Sequence, residues 1–226
     1  MPHSVEIGAA EHKATVYIAG DSINQVNMFD TYPQTGIGQM LPRYFKEEYT
    51  VCDYAKNGRS TKSFIDEGRL AVIYDRITAG DYLFICFGHN DEKKEDASRY
   101  TEPFGDYQIN LEKMVNVARN KHAYPLLITP LERCHFNEDG TVYEGAHGEY
   151  VKAMLELGER LDVPVINLNA MSRKIMAELG PTEARALHAF DETHLNVNGA
   201  MKYAGCVAEG LKELGGVYAE LLLEEF

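Results

Sequence analysis

Five residues near the two ends and the middle of the chain have the types that acyl transfer requires. Ser22 lies in "YIAGDSINQV" (17–26), Gly58 in "KNGRS", Asn90 in "FGHND", and Asp191 and His194 in "DETHLN". A serine hydroxyl becomes a nucleophile when an imidazole accepts its proton, and a carboxylate on the other ring nitrogen fixes the tautomer that can do so. The spacing Asp191-x-x-His194 lets the carboxylate accept from Nδ1–H and leaves Nε2 for Ser22. Negative charge developing on an acyl oxygen needs donors. The backbone N–H groups of Ser22 and Gly58 and the side-chain amide of Asn90 are the candidates, with Gly58 allowing close main-chain approach to a ligand.

Taken singly, each of these residues has an ordinary structural explanation. Asp21 and Ser22 are residue types that cap helix N-termini. Gly58, Asn90 and Asp91 suit turns. Asp191 and Thr193 could cap the last helix, with His194 in its first turn. Two rival sites also use these segments. In a phosphate- or flavin-binding module of flavodoxin-like fold, Ser22, Asn24 and helix-terminal N–H groups would cradle a phosphate and leave Asp191 and His194 idle. In a metal site, "HAFDETH" would supply His188, Asp191 and His194, but on a helix the two histidines would point about 120° apart. No metal is therefore expected. The other histidines, His3, His12, His122, His135 and His147, show no ligand spacing and read as structural or solvated.

The chemical reading gains its force from where the five residues fall. Five apolar, β-rich runs cover 14–20, 49–55, 81–88, 124–130 and 163–168. They are continuous and do not alternate strictly, the pattern of strands buried on both faces of a parallel sheet. Helix-patterned stretches separate them: "TGIGQMLPRYFKEE", "STKSFIDEGRLAVIYDRI", "GDYQINLEKMVNVARNK" and "HGEYVKAMLELGERL", with "NAMSRKIMAELG" and "NVNGAMKYAGCVAEGLKEL" after the last strand. The alternation predicts an α/β fold, a three-layer α/β/α sandwich with about five parallel strands. Ser22, Gly58 and Asn90 then follow the first three strands, on the face where open α/β sheets bind ligands. Ser22 is expected on a strand-to-helix turn. Two long loops, 89–105 and 131–148, leave the third and fourth strands and overhang the same face.

With 226 residues, no repeat and no interdomain linker, the chain reads as one domain spanning 1–226. Cys52, Cys86, Cys134 and Cys206 are widely spaced and read as reduced thiols. No apolar run is long enough to span a membrane, and the N-terminal segment lacks the pattern of a signal peptide. A cytoplasmic protein is expected, or a secreted one if a signal has been removed. The formal net charge of −13 argues against a nucleic-acid partner and would repel a polyanionic substrate. Arg59, Arg133 and His135 are the candidates for offsetting that repulsion near Ser22. The C-terminal "VYAELLLEEF" is too apolar for a free tail and is expected to pack on the body or on a second copy of the chain, as in a homodimer.

The blocks "AGDSI", "NGRS", "GHND" and "DETH" resemble the four sequence blocks of the SGNH (GDSL-like) hydrolases. "NGRSTKSFIDEGR", "GHNDEK", "RYTEPFGDYQINLEKMV", "HGEYVKAM" and "DETHLNVNGA" resemble, more narrowly, the rhamnogalacturonan acetylesterase branch. The likeness runs from about residue 14 to 212 and departs from the family's name only in Ile23, where Leu is usual. It implies a flavodoxin-like fold and a serine esterase that removes acetyl groups from carbohydrate, with acetylated pectin (rhamnogalacturonan) oligosaccharides as the expected substrate; the net charge of −13 keeps a neutral acetylxylan, or a general short-chain carbohydrate ester, as the alternative. It also implies Ser22 as nucleophile, His194 as base, Asp191 as its orienting partner, an oxyanion hole of Ser22, Gly58 and Asn90, and no cofactor.

Overall fold

The side chains of each central strand point alternately to two apolar layers, and this alternation builds the molecule. In the computed structural model, which describes residues 12–225, five strands form one sheet: β1 (Ala14–Gly20), β2 (Tyr49–Asp53), β3 (Tyr82–Cys86), β4 (Tyr124–Ile128) and β5 (Val165–Ile166). Their spatial order is β2-β1-β3-β4-β5, and every pairing is parallel. Val16, Ile18, Tyr82, Phe84, Leu126 and Ile128 face one layer, while Tyr17, Ala19, Leu83, Ile85 and Leu127 face the other.

The first layer is closed by α1 (Ile37–Met40), α6 (Leu168–Arg185), α7 (Val197–Leu214) and α8 (Gly216–Ala219). The second is closed by α2 (Thr61–Asp66), α3 (Arg69–Arg76), α4 (Gln108–Asn120) and α5 (Tyr150–Leu161). The result is the expected three-layer α/β/α sandwich. Phe64, Phe84, Phe87, Leu83 and Ile85 are fully buried, each contributing about 1.5–3 kcal/mol by leaving water.

Local chemistry explains where elements stop. The stretch expected to be helical after Thr35 yields only the single turn α1 and a 3₁₀ turn at Leu41–Arg43, because Pro42 cannot donate to a continuing helix. The next helical stretch divides into α2 and α3 at Gly68, which has φ +74°. Ser60 and Ser63 begin α2 with a reciprocal capping box, 2.9 and 3.2 Å. β5 has two residues, fewer than expected. It is an edge strand whose preceding Pro164 has no N–H for a ladder. The C-terminal segment packs on the body: Leu221 and Leu222 are buried, and Leu222 bridges to Phe45. All four cysteines are free thiols. Among the described residues, no helix is long and apolar enough to cross a membrane.

The order of strands fixes the ligand face. β1 has β2 on one side and β3 on the other, so the chain reverses its direction of winding there, and a crevice opens at the carboxyl ends of β1 and β3. Gly20 and Cys86, the last residues of these strands, are register partners. The chain after β2 stays beside the end of β1, with Tyr54 N–H on the Ile18 carbonyl and Lys56 N–H on the Gly20 carbonyl. Segments 21–24, 54–58 and 87–91 therefore converge.

Candidate active site

Ser22 stands in a tight turn directly after β1, in which the N–H groups of Asn24 and Gln25 both bond to the Asp21 carbonyl. No α-helix follows until Ile37, whose N-cap is Gly36, and before it comes a 3₁₀ turn at Phe29–Thr31. The expected strand-to-helix turn is thus a free turn, and Ser22 is not a helix cap. The phosphate-cradle alternative loses the helix N-terminus on which it depended. Asp21 is buried and stiffens the turn by accepting from the Ile23 N–H at 3.0 Å. The Gln34 amide donates to the Ser22 carbonyl at 3.3 Å.

Opposite Ser22 lies a loop that carries both Asp191 and His194. His194 Nε2 is 3.1 Å from Ser22 Oγ, and its Nδ1 is 2.6 Å from Asp191 Oδ2. The second carboxylate oxygen accepts the backbone N–H groups of Thr193 and His194 at 2.8 and 2.7 Å. Burial works to raise the Asp191 carboxyl, but these bonds from His194 and Thr193 outweigh it and hold the group below the usual carboxylate range. An ionised Asp191 keeps the Nδ1–H tautomer, so Nε2 presents a lone pair to the hydroxyl. The ring of Phe190 packs beside His194, with centroids 5.5 Å apart.

The loop is pinned at several points. His188 and Leu195 form an antiparallel bridge, and Thr35 N–H holds the Leu195 carbonyl at 2.9 Å. Arg185 donates to the Asp191 carbonyl. Asn196, not Asp191 or Thr193, caps α7, accepting from the N–H groups of Asn198 and Gly199. His194 precedes that helix. His188 is buried with Nδ1 on the Ala184 carbonyl at 3.0 Å and takes no part in the Ser22–His194–Asp191 chain.

Gly58 and Asn90 complete the set. Gly58 has φ +77°, the left-handed region that favours glycine. Within the described residues neither its N–H nor that of Ser22 has a hydrogen-bond partner. The Asn90 amide donates one N–H to the Arg59 carbonyl at 3.1 Å, while its Oδ1 accepts from Arg99 at 3.2 Å. Its second N–H is uncommitted. A base on a hydroxyl, a carboxylate on the base and spare N–H donors from three strand ends can together support attack on an ester carbonyl.

The family model of GDSL-like lipases and acylhydrolases matches residues 18–202, which carry all of these groups. The chain belongs to that family. It is 40% identical over 214 residues to the rhamnogalacturonan acetylesterase RhgT of Bacillus subtilis, covering 88% of this chain and 90% of that one. The rhamnogalacturonan acetylesterase of Emericella nidulans is 28% identical over 204 residues, covering 82% and 80%. Among solved structures, the YxiM protein of Bacillus subtilis superposes with a TM-score of 0.81 at 27% identity, covering 91% of this chain, which spans 58% of that one. An acetylxylan esterase mutant from Geobacillus stearothermophilus shares the fold, with a TM-score of 0.65 at 14% identity over 90% and 96% of the two chains. As a GDSL-like acylhydrolase, the protein is a carboxylic ester hydrolase.

Behind the Ser22 turn of this acylhydrolase lies a buried polar network that patterns in the sequence did not disclose. His89 Nδ1 is 3.5 Å from Asp21 Oδ2, and the His89 ring meets His147 edge-on at 4.5 Å. His147 bonds to Glu92 at 3.0 Å and to the Leu131 carbonyl at 2.7 Å. Glu92 pairs with Arg133 at 2.5 Å, and Arg133 donates in turn to the hydroxyl of Thr193. Burial pushes His89 down to about 4, with His147 adding to the effect, so the ring next to Asp21 is neutral at pH 7. Asp91 holds the loop after β3 by accepting from Thr61 and Thr101, and burial raises it to about 7. The only signal in the sequence was the density of polar residues in "FGHNDE" at a strand end.

The three candidate cations are all committed elsewhere. Arg59 pairs with Glu67 at 3.0 Å, Arg133 with Glu92, and His135 with Glu192 at 3.0 Å. Each of the three therefore faces a carboxylate, and none enters the site as an unpaired charge. His147, expected to be structural or solvated, is structural.

Proposed function

We propose that this acylhydrolase removes acetyl groups from acetylated rhamnogalacturonan oligosaccharides through a covalent acetyl-Ser22 intermediate. The observation that carries the reading is the unbroken chain from Ser22 Oγ through His194 to Asp191, and the names of its relatives supply the substrate class. His194 Nε2 accepts the Ser22 proton as Oγ bonds to the acetyl carbon. The carbonyl oxygen takes the negative charge, facing the N–H groups of Ser22 and Gly58 and the free amide N–H of Asn90. Collapse breaks the bond to the sugar oxygen, which receives the proton from Nε2. Water then adds to the acetyl-serine, giving its proton to Nε2, and Ser22 departs with that proton as acetate is released.

A neutral acetylated xylo-oligosaccharide is the second reading. It is favoured by the net charge of −13 and by the pairing of Arg59, Arg133 and His135 with carboxylates. Acetate release from acetylated rhamnogalacturonan and acetylated xylan fragments, measured side by side for the natural protein and Ser22→Ala, tests both. Faster release from rhamnogalacturonan, abolished by the substitution, supports the first reading; faster release from xylan supports the second. Equal release by both proteins overturns the esterase mechanism at Ser22.

A further inference from the structure

We infer that Arg99 is a positioning residue for the acyl-transfer step, acting through the Asn90 amide. An asparagine side chain can present either its oxygen or its NH₂ in a given direction, and only the second can stabilise a developing oxyanion. What decides between the two orientations is the partner at each end. Guanidinium groups only donate, so Arg99 at 3.2 Å requires Asn90 to turn its oxygen toward it. The Arg59 carbonyl only accepts, so at 3.1 Å it requires an N–H. The two partners agree, and the amide is locked with one N–H left over.

Arg99 is itself built in. Its Nε lies 2.7 Å from Asp96 Oδ2, and the other Asp96 oxygen accepts from the Ser98 N–H and hydroxyl at 3.0 and 2.5 Å. The Arg99 N–H bonds to the Asp96 carbonyl at 3.0 Å, so the turn and the side chain fix each other. A Cβ placed on Gly58 would meet Arg99 Nη1 first, at 4.0 Å. The same guanidinium nitrogen thus lies against both segments that carry the proposed oxyanion donors, Gly58 and Asn90, and a surface cleft of about 290 Å³ lined by Gly58, Arg59, Ser63, Glu67, Ser98 and Arg99 opens beside it. A charged side chain whose only task was to pair with Asp96 would have no reason to reach the amide.

This inference rests on the role proposed for Asn90, and the test separates the two. The substrate is 4-nitrophenyl acetate, which carries no sugar, so any loss reports on the acyl step and not on carbohydrate binding. Arg99→Ala is expected to lower kcat roughly 10- to 50-fold with KM changed less than about twofold, because a transition-state donor is lost while ground-state binding is not. Arg99→Lys, which can still donate to Oδ1, recovers part of the rate. The deciding measurement is the double variant: Arg99→Ala in an Asn90→Ala background should cost no more than about twofold further. Full additivity, or an unchanged kcat in both Arg99 variants with Asn90→Ala impaired, overturns the positioning role and leaves the Asn90 assignment standing. An unimpaired Asn90→Ala overturns both. Melting temperatures of the four proteins identify a variant that has failed to fold, and in that case Arg99→Lys and Arg99→Gln supply the comparison.

Discussion

Arg133 donates to the hydroxyl of Thr193, the residue immediately before His194, and its other terminal nitrogen pairs with Glu92. One side chain thereby ties the loop after β4 to the loop that carries the imidazole and to the loop after β3. Glu92 and Arg133 are both mostly buried, at 15% and 21% side-chain exposure, so removing one leaves the other poorly solvated. Arg133→Ala should cost about 1–3 kcal/mol in urea unfolding, the penalty of a mostly buried carboxylate that keeps His147 but loses the guanidinium. Removing both, as in Glu92→Gln with Arg133→Met, should recover part of that loss. Activity separates the roles. If Arg133 fixes the His194 loop, the double variant regains stability but not turnover; a parallel recovery of both would contradict the clamp.

Asp191→Asn tests the orienting carboxylate. Oδ1 of the new side chain could still accept the N–H groups of Thr193 and His194, which would put an NH₂ against His194 Nδ1. The ring would then have to accept at Nδ1 and carry its proton on Nε2, where it could no longer take one from Ser22. A fall in kcat of roughly 10³–10⁴ is expected, as for the equivalent change in serine proteases. The folded-state carboxyl lies below its ordinary range, so Asp191 stays ionised while the base works, and the acid limb of the natural protein's rate profile should fall with the slope of a single ionisation. A limb of slope two would mean that Asp191 titrates together with the ring.

Gly58→Ala isolates backbone direction from bulk. At φ +77° an L side chain is strained, yet the nearest atom to an added Cβ is 4.0 Å away, so no clash accompanies the strain. The stability cost should be about 1–2 kcal/mol, that of one non-glycine residue held in the left-handed region. If the N–H of Gly58 serves the oxyanion, relaxation of this strain turns it away and lowers kcat beyond what the stability change explains. A variant that is less stable but turns over normally would make Gly58 a turn residue only.

These residues also mark how far the sequence could be read. The convergence of Ser22, Gly58 and Asn90 was legible because each follows an apolar run and a parallel sheet gathers strand ends on one face, whereas Asp191 and His194 lie between α6 and α7 and stand out by their Asp-x-x-His spacing and the family resemblance. β1 was legible to the residue because both of its faces are buried. β5 was overdrawn, since the apolar character of "VPVINL" says nothing about the missing donor at Pro164 or about edge position. Arg99, Glu92, Arg133 and His147 were not legible. They sit in long loops, and the identity of the partner across 9, 41 or 55 residues depends on how those loops fold back. The carboxylates that pair with Arg59, Arg133 and His135 were not legible for the same reason, because a sequence lists charges and not the groups they meet.

Asp53, the last residue of β2, gives the stability of this protein a pH dependence of unusual sign. Its oxygens accept the N–H groups of Val26 at 2.7 Å and Ala55 at 2.8 Å, and so hold the segment that leaves the Ser22 turn. Gln25, next to Val26, in turn accepts the N–H of Asn57 at 2.6 Å, beside Gly58. Burial pushes the Asp53 carboxyl up to about 7 even though the two N–H groups favour its charged form. An unfolded aspartate releases its proton near pH ~3.9. Between that value and about 7 the folded state therefore binds more protons than the unfolded one, and the contribution of this group to unfolding free energy declines as pH rises. Asp53→Asn removes the titration and pays one mismatched N–H contact at every pH. Urea unfolding of both proteins from about pH 5 to pH 8 should show the gap between them narrowing, or changing sign, toward the alkaline end, with no further change above the folded-state value. Curves that run parallel across that range would mean that Asp53 is already ionised in the folded protein at pH 5, its two N–H bonds having outweighed its burial.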